Sequence, residues 1–346
     1  TACNAVSDFP CIASDGATEL TLTAGWEGAT GNDLGIEIET ITDSGLAFTV
    51  TDTTGGAGTI DIDDALSKFK DVWYSHIVNC EEKTTDNYDK YYNAGELRRT
   101  APVHKAFTVF YGTSEIDVTA AAAITDARDV DRQMSKIPVP NSSNFHWEIA
   151  ARGCQAICRV AHADPAMDYG SQQLTLLDDG GSENAWSVAD GQDQYAVERG
   201  HSTTFIKNGV LRLGDVITAY HPEGEDPAGF QYVCDQEKNA AVTYGILNIF
   251  KNDNVDGSPL PNEEDVVTNP NAKKPSYYKG ELIKLYEALA RSAIITDVAY
   301  AIENTQVQIS GSNPKRLDVV AAYKLVGNAN VISIDQRFTF NLGGGA

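Results

Sequence analysis

The length, composition and charge of the chain exclude several classes of protein. A chain of 346 residues is too long for one ordinary hydrophobic core and suggests two or three domains. Its hydrophobic content of 42% is high enough for such domains to form their own cores. With 26 Lys and Arg residues against 49 Asp and Glu residues, the formal net charge is −23, which repels the phosphates of nucleic acid and of anionic lipid. No apolar run approaches the roughly 20 residues of a membrane span. We therefore expect neither nucleic-acid binding nor membrane insertion.

Residues 1–55 are predicted to form part of a β-rich domain. Residues 17–24 and 34–41 alternate apolar with polar side chains, which is typical of half-buried strands. Gly55, Gly56 and Gly58 then interrupt any regular element, so we expect a domain boundary there.

Residues 56–225 are predicted to form an α/β core domain. A short helix over 61–70 begins with Asp61, Asp63 and Asp64, whose carboxylates suit the positive end of the helix dipole. Strand, helix and strand then follow one another, which is the pattern of an α/β unit. The predicted elements are strands 72–78 and 106–111, a helix over 145–163, a hairpin turning at 207–209 and a strand over 215–220.

Residues 226–346 are predicted to form a C-terminal α+β domain. Helices are expected over 236–250 and 277–291, the second with Ser276 as its N-cap. The segment 331–341 alternates in the manner of a strand with one wet face. Its apolar positions are Ile332, Ile334, Phe338 and Phe340. Such a terminal strand can pair within its own sheet or add to the edge of a neighbour's sheet. Taken together, the predicted elements make the whole chain an α+β protein, with mixed α/β structure.

No set of residues combines a nucleophile, a base and an orienting group, so we expect no enzyme activity and no cofactor. One loop has the spacing of a calcium site, with candidate ligands Asn252, Asn254, Asp256 and Glu263. The loop begins with Asn and carries two prolines, so a solvent-exposed insertion is the alternative. Cys154 and Cys158 lie one helical turn apart and are expected to be small buried side chains in a reducing cytoplasm. The six histidines are scattered and are expected to be ordinary ones.

The sequence resembles the tail sheath proteins of contractile phages, of the Mu-like type, over nearly its whole length. The resemblance lies in the order of the segments rather than in one motif. The most specific stretch is RGHSTTFIKNGVLRLGDVITAYH at residues 199–221. Further similar stretches are residues 20–39, 58–78, 96–113, 146–167, 276–297 and 313–340.

The resemblance implies a structural subunit that stacks in helical rings around an inner tail tube. Contraction of the sheath drives the tube through the host envelope, and terminal arms join subunits by adding strands to neighbouring sheets. The implied partners are neighbouring subunits, the tube protein, and baseplate and tail terminator proteins. The implied location is the tail of the virion, after assembly in the bacterial cytoplasm.

Members of this family have further sequence before the position of Thr1, including an N-terminal arm and the rest of a protruding domain. We therefore expect this chain alone to assemble poorly.

The C-terminal region is the basic part of the chain, because residues 271–346 carry nine Lys and Arg against six Asp and Glu. The family places this domain near the tube, so Lys279, Lys284 and Arg291 are predicted to contact the tube. The acidic residues 1–55 are predicted to face outward into solvent. The alternative for this helix is an ordinary solvated basic face.

A different class of protein also fits the acidity, the tyrosines and the glycine-rich loops. That alternative is a secreted or surface binding module of the adhesin type.

Overall fold

The structure is a computed structural model that describes residues 3–6, 9–36, 49–58, 60–81, 84–100, 103–224, 229–253 and 255–329. Helices and several small sheets are mixed along the chain, which confirms the predicted α+β class. The chain forms two compact units. The first combines residues 1–165 with 169–248, and the second combines residues 166–168 with 249–346. The predicted boundaries after residues 55 and 225 remain predictions.

The first unit begins with an antiparallel hairpin and continues with alternating strands and helices. Its elements are β1 (Cys11–Gly16), β2 (Glu19–Ala24), α1 (Asp63–Ser67), β3 (His76–Val78), α2 (Thr85–Arg99), β4 (Thr108–Thr113), α3 (Val118–Asp126), β5 (Met134–Pro138), α4 (His146–Ala163), α5 (Gln192–Glu198), β6 (Thr204–Lys207), β7 (Val210–Leu213) and α6 (Val233–Phe250), whose last two residues belong to the second unit. The hairpin pairs β2, a predicted strand, with β1, which was not predicted. The strand predicted over 34–41 lies largely outside the described residues.

The centre of the first unit is a parallel three-stranded sheet in the order β3-β4-β5. Parallel neighbours need a crossover, and α2 and α3 provide it between successive strands. Every residue of β4 is buried, because alternate side chains enter two different cores. Phe110 packs with Ile149 of α4, whereas Val109 and Tyr111 pack with Tyr88 of α2. The strand-helix-strand prediction is thus confirmed, although β3 is shorter than the predicted 72–78.

Two glycines allow α4 to approach this sheet closely. A Cβ on Gly112 would lie 2.0 Å from the carbonyl oxygen of His146, and one on Gly153 would lie 2.0 Å from Cδ1 of Ile137. Both distances are far below van der Waals contact, so a larger residue at either position would clash. The absence of a side chain at these two glycines lets the helix pack directly against the sheet.

The predicted hairpin is confirmed and a predicted strand after it is not. β6 and β7 pair across Asn208 and Gly209, which have φ of 55° and 71°, as an Asn-Gly turn with two left-handed residues requires. The prediction of a strand over 215–220 is wrong. Only Ile217 forms a bridge, with Tyr232, because the segment changes partners along its length. The amide of Thr218 donates to the carbonyl oxygen of Gln231, whereas the amide of Ala219 donates to that of Met134 in β5, so no continuous ladder forms.

The second unit is built on one long helix and two narrow ribbons. Its elements are α7 (Pro275–Arg291), β8 (Ile295–Thr296), α8 (Val298–Asn304), β9 (Gln306–Ile309), β10 (Leu317–Val320) and β11 (Lys324–Leu325). β9 pairs with β10 and β8 with β11, both antiparallel. The core of this unit includes Tyr278, Leu282 and Tyr286 on one face of α7, as the helical period predicts.

α7 begins two residues earlier than predicted. Lys274 is the N-cap and Pro275 the first helical residue, so Ser276 lies inside the helix and caps nothing. Proline is well suited to this position, since its fixed φ is helical and its missing N–H would have had no helical acceptor.

In the described ranges, no helix is both long and apolar enough to span a membrane.

Candidate assembly interface

The β9–β10 ribbon of the second unit has an edge that is free to pair. The amide of Ser310 donates to the carbonyl oxygen of Arg316 at 2.8 Å, which fixes the alternation of the ladder. It follows that the Val307–Val319 and Ile309–Leu317 pairs are the ones that exchange no hydrogen bonds. The N–H and C=O groups of Val307 and Ile309 therefore point away from β10. Within the described residues this sheet has two strands only, so those groups face an open edge.

A groove lies beside β9 and is lined by three consecutive residues of this strand. Its volume is about 410 Å³, and one wall is β9 while the other is the start of α7 with the loop before it. The groove is lined by Asn262, Glu263, Pro275, Ser276, Lys279, Val307, Gln308 and Ile309. Exposed backbone groups beside a groove are the features that an added strand requires, because main-chain hydrogen bonds hold it and pockets receive alternate side chains.

Buried polar contacts hold β9 to α7. The hydroxyl of Tyr286, on α7, lies 3.0 Å from Oγ1 of Thr305, the residue before β9, and both residues are fully buried. Val307 and Ile309 are the half-buried positions of β9, whereas Gln306 and Gln308 are exposed. The ribbon is therefore fixed on one face by α7 and open at one edge.

Glu263 closes the N-terminus of α7 on the other side of the groove. Its Oε2 accepts a hydrogen bond from the backbone amide of Ser276 at 3.1 Å, and its carbonyl oxygen accepts one from Nζ of Lys274 at 2.7 Å. The hydrogen bonds from Ser276 lower the pKa of the Glu263 carboxyl, and a carboxylate suits this end of the helix dipole.

Of the candidate calcium ligands, Glu263 has a side-chain partner at the start of α7, and the backbone of Asn252 forms a turn with Asp256. The carbonyl oxygen of Asn252 accepts the amides of Val255 and Asp256 at 2.8 and 2.9 Å, Glu263 caps α7, and Asn254 lies outside the described residues. In the ranges the structure describes, no three or more His, Cys, Asp or Glu side chains are grouped to hold a metal ion. Calcium binding stays a prediction that nothing tests.

The three basic residues predicted to contact a tube do not share one face of α7. Lys284 and Arg291 are seven positions apart and lie on the same face, whereas Lys279 is five positions before Lys284, about 140° around the helix. Lys279 lines the groove, and Nζ of Lys284 pairs with Oε1 of Glu281 at 2.7 Å. The tube contact also remains a prediction.

The predicted arm, residues 331–341 with Ile332, Ile334, Phe338 and Phe340, lies outside the described residues. The β9 edge itself was not predicted, although Gln306–Ile309 alternates polar and apolar residues, which is a strand signal.

Comparison with known proteins shows a similarity of fold. No protein family model and no curated protein matches the chain. A solved sheath tail protein from Listeria innocua is similar at 11% sequence identity and a TM-score of 0.53, over 94% of this chain and 72% of that one. A sheath tail protein from Desulfitobacterium hafniense matches at 12% identity and a TM-score of 0.49, over 91% and 76%.

The chain therefore has a tail sheath-like fold. At this identity the similarity concerns the fold alone, and the Mu-like family stays a prediction.

Proposed function

We propose that this chain is a structural subunit of a contractile tail sheath and not an enzyme. Subunits polymerise as helical rings around an inner tube, and contraction drives the tube through the host envelope. The observation that carries the proposal is a sheath-like fold, matched over 94% of the chain, combined with an open strand edge beside a groove. The partners are neighbouring subunits, the tube protein, and baseplate and terminator proteins of a virion tail that assembles in the bacterial cytoplasm.

The proposed joint is strand addition at the β9 edge. The arm 331–341 of a neighbouring subunit pairs with the outward backbone groups of Val307 and Ile309, and its side chains enter the groove. Backbone hydrogen bonds depend little on side-chain identity, so they hold while the bodies of the subunits reorient. A sheath that contracts needs joints of this kind, because its subunits must stay connected as they move.

The experiment compares two prolines on opposite edges of one ribbon. Val307→Pro removes the outward N–H of β9 beside the groove, whereas Val319→Pro removes the outward N–H of β10 at the far edge. Proline tolerates an edge position and cannot donate to an added strand. We expect V307P to abolish polymerisation and V319P to retain it, as seen by negative-stain electron microscopy of the full-length protein alone and coexpressed with its tube protein.

Circular dichroism melting identifies any variant that fails to fold. Equal assembly of the two folded variants would contradict strand addition at β9. Wild-type protein that stays as discrete particles with the tube protein would contradict the sheath itself and favour the surface binding module.

A further inference from the structure

Three elements of the first unit bring two thiols, an imidazole and a carboxylate together. Cys154 and Cys158 lie one turn apart on α4, with their Sγ atoms 3.8 Å from each other. His76 comes from β3, and its Nε2 lies 3.3 Å from Oε1 of Glu237 on α6. The side chains of Cys158 and His76 interact electrostatically. These four residues, the thiol cluster, span 161 positions of the sequence.

The imidazole of His76 is held in place on three sides. Its Nδ1 lies 2.9 Å from Oγ of Ser75, and its ring stacks on Phe110 with centroids 5.7 Å apart and planes 7° apart. Nε2 is thereby directed to Glu237. The side chains of His76 and Glu237 are only 12% and 15% exposed, so water screens their interaction little.

The charges of the thiol cluster favour a thiolate on Cys158. The contact with Cys154 first, and then the interaction with His76, lower the pKa of the Cys158 thiol, while the contact with Cys158 and burial raise the pKa of Cys154. Burial opposes the imidazolium, yet the contact with Cys158 and the charge of Glu237 leave the pKa of His76 raised. Burial raises the pKa of Glu237. The thiolate character therefore falls on Cys158, the thiol that interacts with the imidazole.

The two thiols of the cluster differ in accessibility, and a third cysteine, Cys80, serves as a reference for their reactivity. Cys158 is half-buried, whereas Cys154 is buried. Cys80 is an exposed free cysteine, and partial burial together with Glu81 raises the pKa of its thiol. Accessibility alone would make Cys80 the more reactive thiol, and thiolate character would favour Cys158.

We propose that Cys158 is a thiol modification site that takes small-molecule disulfides as its substrate. The thiolate sulfur of Cys158 attacks one sulfur of the disulfide, a new S–S bond forms, the old S–S bond breaks, and the other half leaves as a thiolate. No further oxidant or reductant is needed. Cys154 and His76 act as positioning residues, because the Cys154 sulfur lies 3.8 Å from the attacking sulfur and the charge of His76 favours its thiolate, while Glu237 orients His76.

The test measures how the reaction rate of each cysteine depends on pH. The folded full-length chain reacts with 2,2′-dithiodipyridine at pH 6, 7 and 8, and peptide mass spectrometry assigns the adducts. A thiol below its pKa gains about tenfold in thiolate per pH unit, so Cys80 accelerates about 100-fold over this range. We expect the rate at Cys158 to change less than about threefold, because its thiolate is already formed at pH 6. This profile does not depend on how accessible each thiol is.

Variants separate the thiol cluster from its surroundings. His76→Asn and, independently, Glu237→Gln should make the rate at Cys158 rise with pH, whereas His162→Asn, an exposed histidine on the same helix, should leave the flat profile. A Cys158 rate in the wild-type chain that rises tenfold per pH unit, or labelling of Cys80 without Cys158, would overturn the proposal.

Discussion

Individual polar side chains in the first unit are buried in defined protonation states. His201 is fully buried, its Nδ1 donates to the carbonyl oxygen of Ser202 at 2.7 Å, and its ring meets Trp186 edge to face at 5.2 Å. Burial first, and then the charge of Lys136, lower the pKa of His201 to about 3. The histidine is therefore neutral in the folded chain over the physiological range.

This neutral histidine makes stability depend on pH. The unfolded chain protonates His201 below pH 6.5 and the folded chain does not, so the unfolded state gains protons and stability falls as pH falls from 6.5 towards 3. For this group alone the loss between pH 7.5 and pH 5 is about 2 kcal/mol. His201→Asn keeps a donor near Nδ1 and removes the titration, so its free energy of unfolding should fall about 2 kcal/mol less over that range.

Urea unfolding at the two pH values measures this difference. His162→Asn is the control, since that exposed histidine should leave the wild-type dependence unchanged. If H201N and the wild-type chain lose the same free energy, His201 is not neutral when folded.

At the scale of elements, α7 and the β9–β10 ribbon depend on one another. A two-stranded ribbon is marginal in water, and it persists when a helix packs against it. The Tyr286–Thr305 hydrogen bond is the polar part of that packing. Its loss should therefore loosen the ribbon that bears the proposed acceptor edge.

Tyr286→Phe should lower the free energy of unfolding of the second unit by about 1 kcal/mol, because it leaves a buried hydroxyl with one partner fewer. Thr305→Val should have an effect of similar size. Because both variants break the same bond, the double variant should cost less than the sum of the two. Urea unfolding of all four proteins completes the cycle, and additive costs would show that the two hydroxyls do not interact.

Long helices were predictable from the sequence and short pairings were not. α4 and α7 were predicted to within two residues because an apolar face repeated over several turns. β9 and β10 have four residues each, and nothing in so short a segment shows which strand it pairs with. The 215–220 segment is rich in strand-forming residues, but its amides bond to a loop at Gln231 and to Met134 of β5 rather than to one partner strand. His76 and Glu237 meet Cys158 only through the fold, so no local spacing could indicate the thiol cluster.

At the scale of the whole molecule, the net charge of −23 opposes assembly. Subunits of equal charge repel one another, and salt shortens the range of that repulsion from about 30 Å at 0.01 M to about 8 Å at 0.15 M. The charge, unlike the topology, is readable from composition alone. The radial placement of the acidic front and basic end remains a prediction.

Polymerisation should therefore require a lower protein concentration at 0.15 M than at 0.01 M NaCl. Sedimentation of polymers against protein concentration measures this, with sucrose as the non-ionic control. Polymerisation that weakens with salt would show instead that attraction between the acidic and basic parts of neighbouring subunits holds the sheath together.

Contacts at the end of the described chain set a length limit on the proposed arm. Leu325 is paired to Ile295, and Nδ2 of Asn328 donates to the carbonyl oxygen of Ala166 at 2.9 Å, so the chain is held as far as Asn328. Ile332 comes four positions after Asn328, and an extended chain covers at most about 3.5 Å per residue. The link between the second unit and its arm is therefore at most about 14 Å long. In a sheath joined by this strand, no change of helical pitch can carry a subunit's Asn328 farther than that from the groove its arm occupies.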